Sequence, residues 1–132
     1  METIIEQSLE TRVKDWTQTY ADTVTENYRN YHEKSGYQGR ENLMYFKVKT
    51  GKRYYKIVEM NYEKFWKNGI IRESENVYGY REGSVHAFVD KKTGQVYKPA
   101  SWAAPAKHVR YDLRIIRERE FLFNSNNTDW AG

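Results

Sequence analysis

Lys98, Ser101, Trp102, Lys107 and Arg110 lie close together around Pro99 and Pro105, in a stretch otherwise made of small residues. Lysine and arginine can neutralise phosphate oxygens, an indole can stack on a base, and a serine hydroxyl can donate a hydrogen bond. The chemistry these residue types suit is recognition of a phosphate-bearing ligand, a nucleic acid or a nucleotide, with no bond broken. A second reading stays open at the same residues: Trp102 plugs the core, the prolines stiffen a covering loop, and the cations are simply solvated.

Bond-making chemistry finds less support. The chain has no cysteine, so it has no disulfide, no thiolate nucleophile and no cysteine-based zinc or iron–sulfur site. His32, His86 and His108 are far apart in sequence and form no metal-ligand spacing. His86 and Asp90 share one face of an alternating stretch, but at about 13 Å apart along a strand they are too distant to hold one ion. Lys98 and Ser101 have the spacing of a base and a nucleophile, a pattern that chance supplies often. No glycine-rich phosphate cradle is present, so a nucleotide must be held by side chains. The expectation is a non-enzyme with no cofactor and no metal.

The elements that position these residues follow from periodicity. Ser84 to Val89 alternates, placing Val85, Ala87 and Val89 on one face and His86, Phe88 and Asp90 on the other. Lys91 to Gly94 reads as a turn, and Gln95 to Lys98 as the partner strand. Leu43 to Val48 and Tyr54 to Met60 form an earlier hairpin across Lys49 to Lys52, with Met44, Phe46 and Val48 on one face. Tyr62 to Gly69 reads as a short helical turn, Ile70 to Tyr80 is ambiguous and extended at most, and Val109 to Ile115 alternates as a further strand. Pro99 to Lys107 reads as a loop. The tail from Asn124 is polar and reads as a loose tail or as an arm that docks through Trp130.

Ahead of these strands, Ile5, Leu9, Val13, Trp16, Tyr20, Val24, Tyr28 and Tyr31 recur every three or four residues, the spacing of one helix face. A helix over residues 1–34 would be roughly 50 Å long at about 1.5 Å per residue. That exceeds what a small domain covers comfortably, so its stripe either covers its own sheet or partly meets another chain. Thr17, Thr19, Thr23 and Thr25 lower its intrinsic helicity and make such packing more necessary. The element order argues for one domain over residues 1–132 of the α+β class, a long N-terminal amphipathic helix packed on a small antiparallel sheet built from hairpins, with residues 43–116 mostly β and 124–132 a polar tail.

Composition sets the outer bounds. The 132 residues are 39% hydrophobic and 30% charged, enough for one core. Tyrosine supplies 12 of the aromatic side chains, an excess that suits both half-wet binding surfaces and small β-rich cores. The net charge of +4 is uneven, because residues 1–44 carry more acids than bases and the remainder more bases than acids. Neither a membrane-spanning run nor the order of a signal peptide is visible, so the expectation is a cytoplasmic protein with no membrane partner.

The run from Ser84 to Leu113, SVHAFVDKKTGQVYKPASWAAPAKHVRYDL, resembles a module of small uncharacterised proteins of tailed bacteriophages. Ser84, His86, Phe88, Asp90, Thr93, Gly94, Lys98, Ala100, Ser101, Trp102, Pro105, Ala106 and Lys107 carry the resemblance. Where those proteins often continue with an asparagine, this chain has Asp112, a carboxylate that would weaken any phosphate contact there. The resemblance implies a phage protein in the host bacterial cytoplasm or in the virion. Two functions are expected from different classes: a binding protein that holds nucleic acid or a nucleotide through the Trp102 loop, or a virion or assembly component. In the second, the helix over residues 1–34 and the tyrosine-rich faces meet a virion protein or a second copy in a homo-oligomer.

Overall fold

A computed structural model describes residues 4–36, 43–65 and 77–124 of the chain. Trp130 and most of the polar tail lie outside these residues, as do the first three residues of the expected helix. The described chain forms one long helix and a five-stranded sheet. Helix α1 runs over Ile4–Lys34, strand β1 over Tyr45–Thr50, β2 over Tyr54–Phe65, β3 over Val77–Asp90, β4 over Gln95–Pro99 and β5 over Pro105–Asp112, followed by a short helix α2 over Ile116–Leu122. The strands pair antiparallel in chain order, β1-β2-β3-β4-β5. This is the α+β arrangement that the element order implies.

One face of α1 closes the core. Val13, Thr17, Tyr20 and Ala21 are fully buried, with Leu9, Trp16 and Val24 packed beside them. Helical threonines are accommodated because their hydroxyls bond the preceding turn: Thr17 Oγ1 donates to the Val13 carbonyl at 2.7 Å, and Thr25 Oγ1 to that of Ala21 at 2.9 Å. Thr25 Oγ1 also accepts the Phe46 amide at 2.8 Å, and Arg29 Nε donates to the Met44 carbonyl at 2.8 Å. These bonds fasten the second half of α1 to the start of β1, where Met44 and Phe46 turn inward as their alternation requires. Tyr28 and Tyr31, the last members of the apolar stripe, remain exposed.

Across the sheet, Tyr55 and Ile57 of β2, Ala87 and Val89 of β3 and Val96 of β4 meet the helix. Two register shifts interrupt the β2–β3 ladder. Ile57 pairs with Ala87 but Val58 pairs with Val85, which leaves His86 as an extra residue. A second irregularity sets Gly83 and Ser84 against Glu59 alone. The first shift overturns part of the expected alternation, because Val85 shares the far face with Val58, while His86 comes against Tyr20 of the helix and Phe46 of β1.

Other boundaries move for identifiable reasons. Tyr62 to Phe65 is strand and not a helical turn, since β2 runs on beside β3, with Tyr62 stacked on Tyr78 and edge-on to Tyr80. Residues 66–69 of that expected turn lie outside the described residues. Pro105 to Lys107 belongs to β5, which shortens the loop to Ala100–Ala104. The strand expected to reach Ile115 ends at Asp112: Leu113 turns into the core and donates its amide to the Gly94 carbonyl at 2.9 Å. Helix α2, which periodicity did not expose in so short a segment, is held through Arg119. Its guanidinium lies 4.3 Å from the Trp16 ring centroid and donates to the Leu113 carbonyl at 2.6 Å.

Candidate functional site

The face of the sheet away from α1 carries a row of alternating rings and cations. Its members come from strand alternation: where Tyr55 and Ile57 point to the helix, Tyr54 and Lys56 point away, and Lys49 of β1 is registered opposite Lys56. On β3 and β4, Phe88 pairs with Tyr97. Arg53 sits over the Tyr54 ring at 5.1 Å, and Tyr54 meets Phe88 and Tyr97 edge-on at 5.9 and 6.1 Å. Lys56 Nζ lies 5.6 Å from the Phe88 centroid and 4.4 Å from that of Trp102, and Lys49 Nζ stands 5.6 Å from the Trp102 centroid.

Trp102 reaches this row from the β4–β5 loop, which is closed by the amides of Ala100 and Ser101 donating to the Ala104 carbonyl at 2.9 and 3.1 Å. Ser101 Oγ accepts the Ala103 amide at 3.3 Å, tightening the same turn. The indole is 44% exposed. It is therefore not a plug of the helix-side core, whose members lie on the other face of the sheet.

Glu82 on β3 faces the cations of β1: its carboxylate lies 2.7 Å from Lys49 Nζ and 3.2 Å from Lys47 Nζ. Hydrogen bonds from Lys49 and then Lys47 hold its carboxyl below the ordinary carboxylate range. Burial raises the Tyr97 phenol above its ordinary value, which keeps it a neutral ring. At the near end of the row, the β1–β2 and β3–β4 turns adjoin. Lys91 donates its amide to the Arg53 carbonyl at 3.1 Å and Nζ to that of Gly51 at 3.2 Å. Between the turns and α1 opens a cleft of about 780 Å³ lined by Lys52, Arg53, Lys91 and Lys92 with Glu10 and Asp90. Asp90 is already engaged, accepting the amides of Lys92 at 2.9 Å and Thr93 at 3.1 Å and lying 3.6 Å from Arg53.

The residues singled out from sequence are placed unevenly. Trp102 is in the row and Ser101 shapes its loop. Lys98 and Lys107 come together at the irregular end of β4–β5, where residues 106–108 oppose Lys98 alone, and Arg110 is the extra residue of a second bulge, between the Val96–Tyr111 and Tyr97–Val109 pairs. The cations over Trp102 are instead Lys49 and Lys56. Asp112 is bound by Arg114, whose Nη2 lies 2.6 Å from its Oδ2, so its carboxylate serves the turn after β5.

Residues 1–132 match the model of a family of unknown function, DUF7717. The chain belongs to the DUF7717 family. No curated protein and no solved structure matches it. For this DUF7717 member, the sequence reading missed Lys49, Lys56 and Tyr54. Their signal was present in the alternation Lys47-Val48-Lys49 and Tyr54-Tyr55-Lys56-Ile57, which gives one hairpin an apolar face and a cationic, aromatic one. Among the described residues no three histidine, aspartate or glutamate side chains gather as a metal site, and no helix is long and apolar enough to cross a membrane.

Proposed function

We propose that this DUF7717 chain is a small non-enzymatic phage protein that holds a phosphate-bearing ligand, a nucleic acid or a nucleotide, on the sheet face opposite α1. The observation that carries this reading is the half-exposed Trp102 ring with Lys56 4.4 Å and Lys49 5.6 Å from its centroid. Trp102 stacks on a base while Lys49 and Lys56 neutralise the adjoining phosphate; Lys98, Lys107 and Arg110 supply charge at the rim, and Ser101 donates a hydrogen bond. Glu82 acts as an internal stand-in for the phosphate, sharing its carboxylate between Lys47 and Lys49 until a ligand replaces it.

Titrating fluorescently labelled oligonucleotide and mononucleotide probes, with anisotropy as the readout, tests this. Saturable binding that weakens on going from about 50 to 200 mM salt is expected. Trp102→Ala should weaken it by about five- to a hundredfold, the worth of one stacked base, with an unchanged circular dichroism spectrum. Glu82→Gln should tighten it by removing the competing carboxylate. If neither probe binds, the reading fails.

A second reading has its own observation. Tyr31 is 58% exposed, and Tyr28, though its ring meets Phe46 edge-on at 5.8 Å, is exposed beside it, so the last part of the apolar stripe of α1 is left partly uncovered. On that reading the chain is a virion or assembly component, and this end of α1 meets a virion protein or a second copy.

A further inference from the structure

We infer that the ligand is a single-stranded nucleic acid that runs along the far face of the sheet and over the tips of the β1–β2 and β3–β4 turns, and not a mononucleotide or a duplex. This rests on the phosphate-ligand reading above and names its substrate class. The cations form two groups separated along the strands. Lys49 and Lys56 stand beside Trp102 on the far face, while Lys52, Arg53, Lys91 and Lys92 line the cleft at the tips of the two turns, which opens toward Glu10 of α1. Tyr54 stands between them, two residues or about 7 Å from Lys56 along β2, with Arg53 over its ring and Tyr97 at its edge.

A mononucleotide has one base and one phosphate group, so it engages one ring and one cation group and leaves the other idle. A strand repeats base and phosphate, which is the repeat this surface presents: cations at the turns, the Tyr54 ring, Lys56 with Lys49, then Trp102. A duplex keeps its bases paired and stacked on one another, so the rings gain nothing from it and only the cations contribute. Stacking platforms within a basic groove are the general solution for single strands, because every base offers a π face. The two carboxylates of the cleft, Glu10 and Asp90, offset only part of its four cations, Asp90 lying 3.6 Å from Arg53, so the cleft keeps an excess of positive charge.

The test compares three probes on the full chain by competition anisotropy: deoxythymidine monophosphate, a twelve-nucleotide deoxythymidine strand, and a twelve-base-pair duplex. The strand is expected to bind at least about tenfold more tightly than either of the others. Its affinity should fall with salt, and the double variant Lys52→Ala/Lys92→Ala should flatten the log–log slope by about 1.4, two phosphate contacts at roughly 0.7 each on a single strand. Both side chains are exposed on turns, so the variant should retain its fold. Equal affinity for strand and monophosphate, or a duplex bound as tightly as the strand, overturns the inference and leaves the phosphate-ligand reading standing. An unchanged salt slope in the double variant also overturns it, because the strand then does not reach the turn cleft. Binding of none of the three overturns both.

Discussion

His86 is held in the interior by its place in a bulge, with Nε2 3.3 Å from Tyr20 Oη and its ring edge-on to Phe46 at 5.5 Å. Burial pushes its pKa down to about 4, so the folded chain keeps the imidazole neutral where an unfolded chain, near 6.5, would take a proton. Between those values the unfolded state binds more protons, and stability falls as pH falls. The contribution is fully present above about pH 6.5 and is lost progressively toward pH 4, by no more than about 3 kcal/mol. Urea unfolding at pH 7, 5.5 and 4.5 measures it, and His86→Gln should remove that share of the slope. An identical slope in the variant would mean that other groups set the acid limit. Little of this was legible beforehand. Alternation grouped Val85 with Ala87 and Val89 and set His86 on the opposite face, and one extra residue in the ladder exchanged them.

At the scale of elements, the β3–β4 turn couples a local rule to the core. Gly94 has φ +76°, in the left-handed region, and a Cβ there would stand 3.3 Å from Val13 Cγ2 of α1 and 3.5 Å from Leu113 Cβ. Gly94→Ala therefore combines backbone strain with a crowded helix contact, and should cost about 1–3 kcal/mol in denaturant unfolding. A loss below about 0.5 kcal/mol would show that α1 can move aside. The turn itself was readable from Lys91-Lys92-Thr93-Gly94, because it depends on neighbours in sequence. Helix α2 was not, since seven residues give too few turns for a periodic signal and its hold depends on Trp16 of a distant helix.

For the whole molecule, the two readings of function use opposite faces and respond differently to ions. Phosphate binding on the far face is electrostatic and weakens with salt, whereas an interface at the exposed end of α1 is apolar and persists. Sedimentation velocity of the free protein at about 0.1 and 1 M salt separates them. On the assembly reading a salt-resistant oligomer appears and Tyr31→Ser, at a side chain that is 58% exposed, returns it to monomer with little loss of stability. A monomer at every concentration removes the second-copy form of that reading and leaves a virion protein as the partner it requires.

Sequence alone determined the elements whose causes are local. The three-to-four spacing from Leu9 to Val24 makes a helix that buries one stripe, Met44 and Phe46 turn inward by alternation, and Gly94 closes a turn that only a residue tolerant of positive φ fits. It also marked Trp102 as a ring held in a proline-stiffened loop. Tertiary structure decided what that ring meets. Lys49 and Lys56 lie some fifty residues before Trp102 in the chain and come to it only because five antiparallel strands bring β1 and β2 under the β4–β5 loop. Lys98 and Lys107, its neighbours in sequence, are drawn instead to the irregular end of β4–β5. Side chains close in sequence alternate between the faces of a strand, so proximity along the chain fixes the supply of charge but not its placement.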